Sequence, residues 1–217
     1  MRKIREKIKK NYSQMKRRLT WILYRKKRIL AMDCRELIEK KRKDGPIKLH
    51  LCCGGNKYQG YINVDIVPLE GTDALMNIPQ DLFLVSPNSA SEILIESGFE
   101  HFYRYQQDDF LKECYRILVD KGRLAMKNIP DFDLIADAYL GKKQGNISPI
   151  FDLYEVYRLT HGAPEPRNSP HQLHKDIFTK GSVRELLERN KFKIQEMRDT
   201  IFRGENTAAS FDVVAVK

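Results

Sequence analysis

The 217-residue chain predicts an α/β protein, a doubly wound and mostly parallel sheet that carries an N-terminal basic helical extension. Three observations lead there. Strand-like and helix-like segments alternate from residue 47 onward, as in a parallel sheet covered on both faces. The first strand-like run ends in Gly54-Gly55 and the second ends near an acid, Asp65. Charge also divides the chain. Residues 1–48 hold 19 Lys and Arg against 5 Asp and Glu, net +14, whereas residues 49–217 are net −4. A basic arm on a mildly acidic body points to an anionic partner for the arm alone.

Residues 1–43 read as helix, because Ile4, Ile8, Tyr12, Met15, Leu19 and Ile22 recur at steps of three and four. Asp44-Gly45-Pro46 breaks it, which sets an extension at 1–44 and an α/β domain at 45–217. Ile47–Cys52 is a short apolar strand. Tyr61–Val67 is a second, closed by Pro68, and a third precedes Asn77. Ser91–Glu96 and Arg123–Lys127 follow, with Lys121-Gly122 as the turn before the latter. Phe110, Leu111, Cys114 and Leu118 mark an amphipathic helix between those two strands. Asp131–Leu140, Ile150–Leu159 and Ser182–Arg189 are further helices, and Phe192–Met197 and Ser210–Val216 are closing strands. Apolar runs such as Trp21–Tyr24 fall far short of the roughly 20 residues of a membrane span, and the basic start lacks the apolar core of a signal peptide. A cytoplasmic protein is expected. Cys34, Cys52, Cys53 and Cys114 form no C-x-x-C pair and no His cluster completes a zinc pattern, so no metal is expected.

The informative stretch is Leu49–Asp65, LHLCCGGNKYQGYINVD. Glycine after the first strand of such a sheet admits a ligand close to the backbone, and a carboxylate at the tip of the second can accept both hydroxyls of a ribose. The spacing suits a nucleoside-containing cofactor. It is not G-x-G-x-x-G, which places a nicotinamide-dependent reductase last among the candidates.

Read whole, the stretch resembles the first motif of the S-adenosylmethionine-dependent methyltransferases. It is most similar to a bacterial branch associated with cell-surface polysaccharide genes, whose pattern is L-H-L-G-C-G, a short spacer and G-[WFY]-x-N-[VI]-D. Downstream, Phe99-Glu100-His101-Phe102 resembles that branch's L-E-H-[FL]. Leu111–Leu118 with Lys121–Leu124 resembles L-x-E-x-x-R-[VI]-L-x-x-G-G-x-[LF], and Ile129-Pro130-Asp131 matches V-P-D. The resemblance implies a seven-stranded, Rossmann-like sheet and S-adenosylmethionine as cofactor. The cofactor is then expected against Cys52, Cys53 and Gly54, with Asp65 on the ribose, adenine near Asn77 and Ile78, and Glu96 and Ser97 flooring the pocket. His50 matches the family's own His and is expected to orient the loop. Cys52 departs from the pattern, standing where the family has its first glycine. If that position needs left-handed backbone, the cysteine costs about 1–3 kcal/mol. If it stays extended, the thiol only crowds the cofactor's methionine end.

Methyl transfer from a sulfonium needs alignment above all, worth about 7–11 kcal/mol, and a hydroxyl acceptor also needs a base. The candidates are Glu96, Glu100, His101 and Asp131 after strands, with His161, His171 and His174 on the segment HGAPEPRNSPHQLH, which could fold over the site as a lid. Of these, His101, Asp131 and His174 are expected to face the methyl group. No N/D-P-P-[FYW], Pro-Cys or phosphate-loop motif is present. The expected function is methylation of an oxygen, hydroxyl or carboxyl, on a sugar, glycan or small metabolite, in polysaccharide synthesis. The alternatives are an RNA methyltransferase using the arm and a non-catalytic cofactor-binding module. Residues 1–30 as one helix would span about 45 Å. Their stripe, with Trp21 and Tyr24, suits packing on the body or a second copy, or an anionic membrane surface at its inner face; nucleic acid ranks behind these.

Overall fold

The computed structural model describes residues 34–143, 151–162, 172–201 and 207–217. The apolar stripe of residues 4–22, the aromatics Trp21 and Tyr24, and His171 lie outside them. The described end of the arm is a helix, α1 (34–42), whose Cys34 and Ile38 are sunk in the main core. The Ser86 hydroxyl donates to Glu39 at 2.6 Å and ties the same helix down.

Seven strands follow: β1 (Ile47–Leu51), β2 (Ile62–Asp65), β3 (Ala74–Leu75), β4 (Ala90–Glu96), β5 (Leu118–Pro130), β6 (Lys193–Ile201) and β7 (Ala208–Val216). They form one sheet in the order 3-2-1-4-5-7-6. Every pairing is parallel except those of β7, which runs antiparallel to β5 and β6. This is the seven-stranded, mostly parallel sheet expected. β1, β4 and β7 are mostly buried and read as apolar runs, whereas β6, at the edge, is mostly exposed and polar.

The helices are α2 (Arg104–Ile117), α3 (Phe132–Lys143), α4 (Leu153–His161) and α5 (Lys180–Arg189). α2 buries Phe110, Leu111, Cys114 and Ile117 against the sheet. Reciprocal hydrogen bonds between Thr179 and Ser182 start α5, and Asp152 caps α4.

Two local expectations are corrected. Leu118 ends the helical register and opens β5 rather than closing α2. Lys121-Gly122 lies inside β5 rather than before it. The β4–β5 register jumps from Ala90↔Leu118 to Glu92↔Arg123, a bulge that absorbs the extra residues with Lys121 at φ +60°.

Strand order reverses between β1 and β4, and in such sheets ligands bind outside the carboxyl ends of the strands at that point. The turn after β1 (Cys52–Gly55) and the turn after β4 (Ser97–Gly98) meet there. A separate cavity of about 270 Å³, lined by α1 and residues around β3, lies at the β3 edge of the sheet and is lined by no histidine.

Candidate active site

One side chain draws the glycine turn onto β2. Asp65 accepts the Gly54 N–H at 2.8 Å on one carboxylate oxygen and the Val67 N–H at 2.9 Å on the other. Each oxygen keeps a lone pair for a ligand. Gly54 is left-handed at φ +56°, and a side chain built on Gly54 or Gly55 would meet nothing within 4 Å. The backbone there is open to a close-lying molecule.

Cys52 takes the strained form of the two left open by the sequence, at φ +54°. A cysteine there costs about 1–2 kcal/mol relative to a residue free of Cβ repulsion. Ser97 after β4 (φ +48°) and Asn128 near the end of β5 (φ +56°) are left-handed too. Three non-glycine residues are thus strained at the carboxyl ends of three adjacent strands, and such strain collects at functional sites. Gly98 accommodates the cysteine: a Cβ on Gly98 would stand 2.8 Å from the Cys52 Cβ. Gly98 has φ −142°, which any residue adopts, so it is required for space and not for backbone freedom. Burial, aided by the charges of Asp65 and Glu100, holds the Cys52 thiol protonated far above its ordinary range. At neutral pH it is held as the thiol, a poor nucleophile beside a thiolate.

Beside the turn, Asn63 organises residues 58–63. Its Oδ1 accepts from the Tyr58 N–H (2.9 Å) and from His50 Nδ1 (3.1 Å), and its amide donates to Asp73 at 2.8 Å. An amide oxygen only accepts, so His50 carries its proton on Nδ1, and burial lowers its pKa. The Tyr58 hydroxyl and the Asn128 amide both donate to Glu96, at 3.1 and 3.2 Å, joining the ends of β4 and β5 to this segment. Asn63, Tyr58 and Asn128 were not singled out from the sequence. Only Asn63 carried a signal, as the Asn of the N-V-D motif. Asn77 follows β3 with its N–H donated to Asp81, and Ile78 is buried behind it.

The expected acid–base residues separate into two places. His101 and His174 come together, rings 5.1 Å apart and edge-on, from chain positions 73 residues distant. Phe99 and Phe102, buried on either side of the Glu100-His101 pair, anchor a short 3-10 turn (Phe99–His101), and Phe99 packs on Phe178 at 5.1 Å. The 173–175 segment is stitched to the same turn, Lys175 N–H donating to the Glu100 carbonyl at 2.8 Å. His101 Nδ1 donates to the Leu173 carbonyl (3.1 Å) and His174 Nδ1 to that of Leu159 (2.8 Å), since carbonyls only accept. Burial lowers the pKa of His101 and, aided by His101 itself, pushes His174 down to about 4. Both imidazoles are neutral at neutral pH with Nε2 deprotonated. Asp131 is not in this cluster. Its carboxylate accepts the Asp133 N–H at 3.1 Å and stands 3.7 Å from Lys180, the position of an N-cap for α3. His161, exposed, bonds Thr160 and stacks on Tyr157.

Glu100 completes the cluster, 3% exposed and with Oε2 lacking any partner. Burial raises its pKa from 4.5 to about 8. A folded pKa above the unfolded one favours the protonated fold, in full below about pH 4.5 and lost as pH rises through about 8. Glu100→Gln, which mimics the protonated acid, is therefore expected to melt near the wild type at about pH 5 and above it at about pH 9, in chelator-containing buffer. Equal melting temperatures at the higher pH would refute this account of Glu100.

Solved structures that superpose on this chain include several described as S-adenosylmethionine-dependent methyltransferases. The fold is that of the S-adenosylmethionine-dependent methyltransferases. A Mesorhizobium loti enzyme of that description superposes with a TM-score of 0.55 at 14% identity, over 80% of this chain and 91% of that one. A Methanosarcina mazei methyltransferase gives 0.51 at 16%, over 78% and 91%. A Burkholderia thailandensis 1,6-didemethyltoxoflavin N1-methyltransferase, solved with its substrate and S-adenosylhomocysteine, gives 0.51 at 15%, over 95% and 89%. No family model and no curated protein matches the chain. No helix among the described residues is long and apolar enough to cross a membrane.

Proposed function

We propose that the chain is an S-adenosylmethionine-dependent methyltransferase acting on an oxygen of a small or sugar-containing acceptor, such as a glycan of the cell surface. The observation that carries it is the Asp65 carboxylate, which holds the turn after β1 at the strand-order reversal of a methyltransferase sheet and keeps two lone pairs for a diol. The residues fit the cofactor. Asp65 would take the ribose hydroxyls, the open backbone of Gly54-Gly55 the methionine side, and Asn77 and Ile78 the adenine edge. The cofactor supplies a methyl group already activated on sulfonium. What the chain adds is alignment and a proton acceptor, for which a neutral imidazole of His101 or His174 is suited. With both pKa values lowered, that of His174 to about 4, a base-dependent rate should rise with pH below the ordinary imidazole range. Asp131 and Lys180 are read as positioning α3 and α5 beside the cleft.

A second reading, a fold-preserving binding module without turnover, draws on Cys52, a strained non-glycine residue in the turn after β1. Calorimetry with S-adenosylmethionine and S-adenosylhomocysteine decides the first point. Binding is expected in the micromolar range; no heat with either at millimolar concentration would overturn the cofactor assignment. Binding without methyl transfer to any fraction of cell extract would favour the module.

A further inference from the structure

Glu100, His101 and His174 offer one oxygen and two nitrogens that all lie within 4.8 Å of one another. We propose that these three residues form a binding site for a divalent first-row transition-metal cation, with open coordination positions at the mouth of the crevice. Several independent features converge on it. Glu100 Oε2 is buried without a partner, and an orphaned buried acceptor is a rare defect in native folds unless something else satisfies it. Each histidine commits Nδ1–H to a backbone carbonyl, an arrangement that fixes ring orientation and leaves Nε2 as the nitrogen able to bind a metal. The two limbs of the cluster are joined by the Lys175 N–H to Glu100 carbonyl bond and the His101 Nδ1–H to Leu173 carbonyl bond, and the His174 segment is held to the end of α4 by the Gly162–Leu173 bridge and the His174 N–H to His161 carbonyl bond at 3.1 Å. Gly162 at φ +91° is packed so tightly on Gln172 and His174 that no side chain fits there.

The donor chemistry selects the cation. Two imidazoles and one carboxylate suit Zn²⁺, Fe²⁺, Co²⁺ or Mn²⁺, whereas Mg²⁺ and Ca²⁺ favour oxygen sets. Ligand atoms around one such ion stand about 3.3 Å apart at bonds of about 2.0–2.1 Å, so closing the cluster on an ion draws its donors together by up to about 1.5 Å. Three protein ligands leave positions free, as in sites that bind a reactant. Glu100 stands two residues from Gly98, on which Cys52 packs, so what enters those positions sits beside the cofactor turn. An acceptor carrying a hydroxyl or carboxylate oxygen fits them; that last step rests on the proposed methyl transfer, while the site itself does not.

The test uses the full chain, stripped with chelator and titrated with Co²⁺. One equivalent per chain is expected, with visible bands of four- or five-coordinate Co²⁺ and no thiolate charge-transfer band, displaced by Zn²⁺. Glu100→Gln, His101→Gln and His174→Gln should each weaken uptake tenfold or more, and His161→Gln should not. Histidine side-chain ¹⁵N spectra of the wild type give a readout that needs no variant, since metal should shift Nε2 of two imidazoles and leave their Nδ1–H protons in place. Absence of stoichiometric uptake, uptake through thiolate, uptake that survives the three substitutions, or unshifted Nε2 signals would each overturn the site. S-adenosylmethionine calorimetry on the stripped chain tests the methyltransferase reading separately, so either can fail alone.

Discussion

Asp65→Ala is expected to weaken S-adenosylmethionine binding by about ten- to a hundred-fold and to lower stability by about 2–4 kcal/mol. The two effects have different sources. Binding loses a charged acceptor, worth about 1.5–3 kcal/mol to a ligand hydroxyl. Stability falls because the Gly54 and Val67 N–H groups, which both donate to this carboxylate, are left short of acceptors in a site only 8% exposed. For a chain of this size that is a melting temperature about 4–16 °C lower. Asp65→Asn separates the two, since an amide retains one acceptor but presents N–H to one of the donors. Thermal melts and calorimetry check both. A variant that melts as the wild type would show that Asp65 does not hold the turn, and one that binds as tightly would remove it from the ribose site.

Gly98→Ala is expected to cost about 1–3 kcal/mol, through overpacking and not through backbone strain. The added methyl would stand 2.8 Å from the Cys52 Cβ and 3.0 Å from Ile95 Cγ1. Cys52→Gly removes the first clash and relieves the left-handed strain at φ +54°, offset by the loss of a partly buried thiol, so alone it should stay within about 1 kcal/mol of the wild type. The double-mutant cycle is the decisive measurement. In the Cys52→Gly background, Gly98→Ala should cost at least about 1 kcal/mol less, the residue being the contact with Ile95. Equal costs in both backgrounds would refute the pairing. Cys52→Gly should also tighten cofactor binding, and no change would place the thiol outside the contact surface.

The behaviour of Cys52 marks where local information ends. Its identity and its place after a strand are legible along the chain, but its left-handed φ goes with the Cys53 N–H to Val64 carbonyl bond at 3.0 Å, which ties the turn to β2. Asp131 shows the same limit. Its position after the fifth strand, in a motif resembling V-P-D, suggested chemistry, and the helix that begins one residue later adds a demand of its own, taking Oδ1 as a cap while Oδ2 has no hydrogen-bond partner. Lys121-Gly122 suggested a turn because glycine commonly ends elements, but pairing on both sides carries β5 through it as a bulge.

By itself the sequence determined the alternation that makes a parallel sheet, the division of charge, the amphipathic face of α2, and the glycine turn followed by an acid. All of these are properties of neighbours along the chain, where periodicities of 2 and 3.6 and the special backbone of glycine and proline act directly. Tertiary structure alone decided that Glu100 and His101 meet His174, that α1 seats Cys34 and Ile38 in the core, and that strained residues at the carboxyl ends of β1, β4 and β5 share one edge. Those outcomes depend on the strand order 3-2-1-4-5-7-6 and on the packing of Phe99 against Phe178. Contacts between segments some seventy residues apart form only when the whole sheet is buried, and no local pattern carries their coordinates.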